Sequence, residues 1–163
     1  MRVTPCGIIH AGDRQKAFEL GLIAAKLTHG HPTGYLAAAV FAAIIAELMA
    51  GTGLAEAVHN ARQLLLERPG HGETLAALND AVQRASINEP SSTAIPALGE
   101  GWIAEEALAI SIFCALVASN LEDGIITAVN ITGDSDSTGA ITGNLLGAIH
   151  GVSQIPARWL KQL

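Results

Sequence analysis

Residues 34–51 read "GYLAAAVFAAIIAELMAG", an apolar run of helical length that predicts a long buried helix. The run is built mainly from alanine rather than leucine, and it carries a carboxylate, Glu47, near its end. A transmembrane helix needs about 20 predominantly apolar residues and seldom holds a charge. We therefore expect a core helix rather than a membrane span.

The other apolar runs are also of helical length, and none alternates for long with the period of a β-strand. Asp13, Thr33 and Thr52 each stand where a helix N-cap is expected. Pro69 and Gly70 should stop the helix that Thr52 begins. These signals favour an all-α fold.

The second half of the chain continues this pattern after one interruption. Residues 88–101, "NEPSSTAIPALGEG", contain two prolines and are expected to form a long loop. Because aromatic residues are scarce and alanine is abundant, the helices must pack closely through small residues. We predict one all-α domain over residues 1–163. Its further helices are expected at 73–86, 102–120, 121–130, 139–151 and 156–163.

Four glycines recur every four residues near the end of the chain and are expected on one helix face: Gly139, Gly143, Gly147 and Gly151. Each glycine destabilises a helix by about 1 kcal/mol relative to alanine. We expect close approach of a neighbouring helix to offset this cost.

Composition limits the class of partner. Hydrophobic residues make up 50% of the chain. The formal net charge of −6 argues against a nucleic acid bound through its phosphates. Cys6 and Cys114 are far apart and in no metal-binding motif, and residues 1–10 lack the apolar core of a signal peptide. We expect a cytoplasmic protein with reduced thiols that binds neither nucleic acid nor membrane.

An acidic cluster, "GDSDST" at 133–138, precedes the glycine-containing helix. Carboxylates at i and i+2, here Asp134 and Asp136, suit a hard cation that cancels their repulsion. A calcium EF-hand loop is excluded because its twelfth position is Leu145 instead of a bidentate glutamate. The alternative is that Asp136 or Ser137 only caps the following helix, and both roles are compatible.

A second polar segment, "LTHGHP" at 27–32, contains His29 and His31. Two histidines this close at a helix end suit metal ligation, a proton relay or substrate contacts. The simpler alternative is a favourable interaction between a histidine and the dipole at a helix C-terminus.

Four segments resemble the ADP-ribosylglycohydrolase family, which includes the hydrolases that remove ADP-ribose from modified proteins and those of the dinitrogenase-reductase-activating type. The resemblance covers nearly the whole chain, follows the family's order and is most specific in the last segment. The segments are "RVTPCGI" (2–8), "AGDRQKAFELGLIAAKLTHGHPTGYLAAA" (11–39), "GEGWIAEEALAISIFCAL" (99–116) and "AVNITGDSDSTGAITGNLLGAIHG" (128–151). The family fold is an all-α domain, in agreement with the apolar pattern.

The resemblance implies a cleft that holds two Mg²⁺ ions, sometimes Mn²⁺. Asp134, Asp136 and the Ser137 hydroxyl would form the C-terminal half of the ligand set. His29, with His31 beside it, would lie on the ADP-ribose side of the cleft. The reaction implied is hydrolysis of an N- or O-glycosidic bond at the ribose anomeric carbon of ADP-ribosylated substrates, with metal orienting the ribose hydroxyls and a water.

Two departures from the family pattern affect the expected site. Ile131 and Thr132 stand just before the acidic cluster, where many relatives have more polar residues or glycine. Family members are also longer and carry a Thr-Asp-Asp ligand set near their N-terminus, and this chain has no such triplet.

The remaining acidic pairs, Glu105–Glu106 and Glu122–Asp123, fit helix surfaces or caps rather than metal ligands. We therefore expect the chain to correspond to the C-terminal portion of the family fold, with an incomplete metal site. A homo-oligomer or a partner segment would supply the missing ligands. A non-catalytic module that binds ADP-ribose or metal, and a structural subunit, remain open as alternatives to a hydrolase.

Overall fold

The computed structural model describes residues 1–161, and within that range the chain is all-α, as predicted, with no β-strand. Ten α-helices and one 3-10 turn, Val152–Gln154, cover the described range. The helices are α1 (Thr4–Ile9), α2 (Arg14–Lys26), α3 (Pro32–Met49), α4 (Leu54–Leu66), α5 (Gly72–Ser86), α6 (Ser91–Leu98), α7 (Ala104–Val117), α8 (Leu121–Val129), α9 (Ser135–His150) and α10 (Ala157–Leu160). The last two residues of the helix expected at 156–163 lie outside the described residues.

Helix α3 is the centre of the fold and packs against α1, α2, α4, α5, α7 and α9. Its side chains from Leu36 to Leu48 are buried almost without exception. Among the described residues α3 alone has the length and hydropathy of a membrane span, and 72% of that window is buried inside the protein. This burial agrees with the expected core helix.

Glu47 is the one acidic residue inside this core helix, and it is only 6% exposed. Arg14 donates to one of its carboxylate oxygens at 2.6 Å, and the Asn60 amide donates to the other at 2.7 Å. A buried carboxylate is tolerated when its oxygens are paired in this way. Glu47 thereby links α3 to α2 and α4.

Small residues let the first two helices approach α3 closely. A β-carbon at Gly7 in α1 would lie 2.5 Å from the carbonyl oxygen of Ala42. A β-carbon at Gly21 in α2 would lie 2.8 Å from the Ala42 side chain. Larger residues at these points would force α1 and α2 away from the core.

The glycine face of α9 is only partly explained by close packing. A β-carbon at Gly139 would lie 2.5 Å from Val129 of α8, so a close approach exists there. At Gly143 the nearest contact, 3.6 Å to Ile125, is an ordinary one, and at Gly147 no atom lies within 4 Å. Gly151 ends the helix with φ +71. The expected close approach of a neighbouring helix is therefore present at Gly139 and absent at Gly143 and Gly147.

Two elements were not expected from local sequence. Helix α6 occupies most of the predicted loop 88–101 although Pro96 lies inside it. Its Ala94, Ile95 and Leu98 are buried in a cluster with Phe113 of α7, so tertiary burial outweighs the cost of the proline. Helix α1, which begins with a proline in its first turn, was also missed.

The capping predictions had mixed results. Asp13 caps α2, since its carboxylate accepts a hydrogen bond from the Lys16 amide at 3.1 Å. Thr33 is instead a buried residue inside α3, whose N-cap is His31. Helix α4 begins after Gly53 without a side-chain cap, so the prediction for Thr52 is also wrong. Thr33 lies two positions and Thr52 one position from the actual N-cap, which is within the usual uncertainty of helix boundaries.

The two cysteines are free thiols, as expected from their separation. Cys114 is fully buried in α7, and burial raises the pKa of its thiol to about 12. A thiol with so high a pKa is unreactive in the folded protein, so Cys114 is a core residue.

The packing of the glycines predicts opposite effects for two matched substitutions. Gly21→Ala should destabilise the protein by about 1–3 kcal/mol, because its methyl group would overlap Ala42. Gly147→Ala adds a methyl group in open space and should raise stability by about 0.5–1 kcal/mol through helix propensity. Urea unfolding of both variants measures the difference, and equal effects would contradict this account of the packing.

Candidate metal and substrate site

Helix α9 begins inside the acidic cluster. Asp134 is its N-cap residue but makes no side-chain cap hydrogen bond, and Asp136 lies in the first turn. One oxygen of Asp136 accepts a hydrogen bond from the adjacent Ser137 amide at 2.9 Å. Neither Asp136 nor Ser137 is the N-cap of α9, so the capping expectation is wrong, and both carboxyl groups retain oxygens that a ligand could use.

The two carboxyl groups perturb each other. Contact with the Asp136 side chain, followed by contact with Ser137, lowers the pKa of Asp134. The same contact, together with the charge of Asp134, raises the pKa of Asp136. Opposite shifts of this kind arise when two carboxyl groups are too close to ionise independently. A cation between them would relieve the repulsion.

Thr138 anchors this first turn to the end of α8. Its side chain is fully buried, and its hydroxyl donates to the Ala128 carbonyl oxygen at 2.8 Å. The Asp134 carbonyl oxygen lies 3.1 Å from the same hydroxyl. Thr138 thus has a structural role beneath the acidic cluster.

A second buried hydroxyl connects α9 to α7. Ser111 donates to the Ala107 carbonyl oxygen at 2.7 Å and lies 3.2 Å from the Thr138 carbonyl oxygen. Thr142, one turn further along α9, lies 3.5 Å from the Ser111 carbonyl oxygen. These contacts fix the start of α9 against two helices.

The turn before α7 also contacts the acidic cluster. The Asp134 amide donates to the Glu100 carbonyl oxygen at 2.9 Å, and a β-carbon at Gly133 would overlap that same carbonyl. Gly101 is buried with φ +80, a conformation that favours glycine. The Glu106 carboxylate accepts hydrogen bonds from the Glu100 and Gly101 amides, both at 3.1 Å.

Glu106 lies in the first turn of α7 but does not cap that helix, which has no side-chain cap hydrogen bond. Its carboxylate instead accepts the amides of the turn before the helix. Its link to the acidic cluster was not predicted, because the two segments are distant in sequence. The only local signal was the pair of glycines in "GEG" at 99–101, directly before the helix.

The histidines form a separate region at the junction of α2 and α3. The Nδ1 atom of His29 lies 2.8 Å from the Thr28 hydroxyl. A β-carbon at Gly34 would lie 2.9 Å from the His29 side chain, so glycine is needed where that side chain rests on α3. Within residues 1–161 no side chain hydrogen-bonds the Nε2 atom of His29, which leaves this nitrogen for a ligand.

His31 is the N-cap of α3, so it lies at the start of a helix rather than at the C-terminus of one. Its Nδ1 atom accepts a hydrogen bond from the Thr33 amide at 3.4 Å and lies 3.0 Å from the Thr33 hydroxyl. The expected dipole interaction at a helix C-terminus is therefore wrong for His31. Both histidines are exposed at the surface.

The structure joins Asp134, Asp136 and Ser137 in one turn and the two histidines in another. No hydrogen bond connects the two regions within the part of the chain that the structure describes. Residues 1–161 also contain no group of three or more His, Cys, Asp or Glu side chains that could hold a metal ion.

Comparison with known proteins identifies the family. A family model described as ADP-ribosylglycohydrolase matches residues 1–163, and the chain belongs to this family. It is 25% identical over 169 residues to an ADP-ribosyl-[dinitrogen reductase] glycohydrolase from Rhodospirillum rubrum. It is 24% identical over 166 residues to ADP-ribosylhydrolase ARH3 from Homo sapiens. A shorter match, 46% identical over 44 residues, is to ADP-ribosylarginine hydrolase Tri1 from Serratia proteamaculans (strain 568).

The chain spans about half the length of the two relatives that match most of it. The match to the Rhodospirillum rubrum protein covers 100% of this chain and 49% of that protein. The match to the human protein covers 84% of this chain and 45% of that protein.

The buried hydroxyls predict a difference between two otherwise similar threonines of α9. Thr138→Val should destabilise the protein by about 1–3 kcal/mol, because the Ala128 carbonyl oxygen loses its 2.8 Å donor in a buried position. Thr142→Val removes only a 3.5 Å contact and should change stability by less. Denaturant unfolding measures both, and an equal loss would contradict the anchoring role of Thr138.

Proposed function

We propose that this chain contributes one half of the metal site of an ADP-ribosylglycohydrolase, which hydrolyses a glycosidic bond at the ribose anomeric carbon. The observation that carries the proposal is the placement of two carboxylates at the start of α9, where Asp134 is the N-cap residue without a side-chain cap hydrogen bond and Asp136 lies in the first turn. Membership of the family supports the type of reaction.

The residues fit a hard divalent cation, Mg²⁺ or Mn²⁺. Asp134 and Asp136 would bind it through carboxylate oxygens, and Ser137 through its hydroxyl. The positive end of the α9 dipole lies at this cluster and favours negative charge there, although Asp134 raises the pKa of Asp136. When bound, the cation would supply orientation of the ribose hydroxyls and stabilisation of developing charge.

His29 and His31 are proposed to contact ADP-ribose. Both are exposed, and His31 caps the first turn of α3. The N-terminus of a helix attracts anions, and an imidazole N–H can donate a hydrogen bond to a diphosphate oxygen. This chemistry suits the diphosphate of ADP-ribose.

The remaining metal ligands are proposed to come from outside the described residues. A two-metal site needs ligands on two sides, and residues 1–161 offer no further acidic cluster of the required size. The chain also matches only about half of its relatives' length. A further segment that carries the missing acidic ligands would complete the site.

Exposed apolar side chains support such an association. Ile9, Leu27 and Val152 are 72%, 81% and 71% exposed. A groove of about 240 Å³, lined in part by Gly143 and Gly147, lies between α1, the end of α3 and α9, and Gly147 leaves open space there. The groove, whose lining includes Ile8, Ile45 and Met49, is a surface on which another segment could be buried. The alternative is a module that binds ADP-ribose or metal without turnover.

The metal proposal predicts stabilisation by cation. A cation at ten times its Kd should stabilise the folded state by about 1.4 kcal/mol and raise Tm by about 3–6 °C. The double variant Asp134→Asn, Asp136→Asn should stay folded and lose this response to Mg²⁺ or Mn²⁺. Differential scanning fluorimetry measures the shift.

The matched control is Glu56→Gln, Glu73→Gln, which removes two exposed carboxylates from the first turns of α4 and α5. This control should respond like the parent protein. A response that survives in the Asp134, Asp136 variant would show that the acidic cluster does not bind the cation.

The proposed incompleteness predicts the behaviour of the chain in isolation. With metal ligands on one side only, the purified chain should release little or no ADP-ribose from ADP-ribosylated arginine or serine. It should also self-associate, which sedimentation experiments measure. Adding a segment with the missing acidic triplet should restore hydrolysis. Strong metal-dependent turnover by a strictly monomeric chain would refute this.

A further inference from the structure

Glu106 hydrogen-bonds the turn at 99–101, which lies directly before α7. The two glycines of this turn, Gly99 and Gly101, have φ +119 and +80. One carboxylate oxygen of Glu106 accepts the amides of both Glu100 and Gly101 at 3.1 Å. Hydrogen bonds to a charged acceptor are among the stronger ones in proteins, so this contact favours the observed geometry of the turn.

The same turn supports the start of α9. The carbonyl oxygen of Glu100 accepts the Asp134 amide at 2.9 Å, and Gly133 is packed so closely on that carbonyl that no side chain fits there. A β-carbon at Gly101 would lie 3.7 Å from the Asp134 β-carbon. A shift of the turn would therefore move the backbone that carries the acidic cluster.

We infer that Glu106 is a positioning residue, which sets the location of Asp134 and Asp136 by holding residues 99–101 against the start of α9. The inference rests on the proposed function in one respect: the positioned carboxylates would serve to bind a cation. The hydrogen-bonded path from Glu106 through Glu100 to Asp134 stands independently of any metal.

A general effect of charge at the start of α7 is the competing explanation. An acidic residue in the first turn stabilises any helix through its dipole, and Glu105 occupies the same turn. That effect would stabilise α7 but would not act selectively on the start of α9. The test must therefore follow the Asp134 amide itself.

Amide hydrogen exchange in the whole chain makes this measurement. In Glu106→Ala, exchange of the Asp134 amide should rise about tenfold or more, while exchange of the Leu145 amide, inside α9, should change less than about twofold. Glu56→Ala, which removes a first-turn carboxylate from α4, should leave the Asp134 amide unchanged.

Glu106→Gln keeps the shape of the side chain and an acceptor oxygen, so it serves if the alanine variant does not fold. It should raise Asp134 amide exchange by a smaller factor, about threefold, because the acceptor is no longer charged. Unchanged Asp134 exchange in a folded Glu106→Ala or Glu106→Gln protein would overturn the inference, and so would an equal rise throughout α9.

A titration with Mn²⁺ separates this inference from the proposed function. If the parent protein binds Mn²⁺ through Asp134, a folded Glu106→Ala variant should bind it several-fold more weakly, and an equal Kd would overturn the positioning role. If the parent does not bind Mn²⁺ at all, the metal proposal fails, and the exchange of the Asp134 amide decides the role of Glu106.

Discussion

Helix α3 can be surrounded by neighbours only because small residues line its contacts. Gly7 and Gly21 bring α1 and α2 to within van der Waals contact of Ala42, and the alanines of α3 accept this approach. Close packing at these two glycines leaves little tolerance for added volume. The buried carboxylate of Glu47 adds polar contacts to this packing, because its hydrogen-bond partners come from α2 and α4, two neighbours of α3.

The candidate site depends on a different set of interactions, which are polar and mostly buried. Thr138 and Ser111 hold the start of α9 against α8 and α7. Glu106 holds the turn at 99–101, which precedes α7, against the start of α9. Satisfied buried hydrogen bonds fix geometry more narrowly than apolar contacts do. Asp134 and Asp136 therefore project from a rigid base, which suits binding of a cation whose ligands must be placed in advance.

The sequence predicted those features that depend on local pattern. The apolar run of α3 and the cap at Asp13 follow from side-chain periodicity and from the chemistry of one carboxylate, and both are present. Helix α6 was missed because burial against α7 outweighs its internal Pro96. The pairing of Glu106 with the turn that supports Asp134 could not be predicted, since nothing in either segment specifies that they meet. Metal binding by the acidic cluster stays a prediction.

The most direct test of the account is the location of a bound cation. Crystals of the chain soaked in Mn²⁺ should show an anomalous-scattering peak within bonding distance of the carboxylate oxygens of Asp134 and Asp136, with the Ser137 hydroxyl beside it. A peak elsewhere, or none at Mn²⁺ concentrations that raise Tm, would contradict the claim that the first turn of α9 is a metal site.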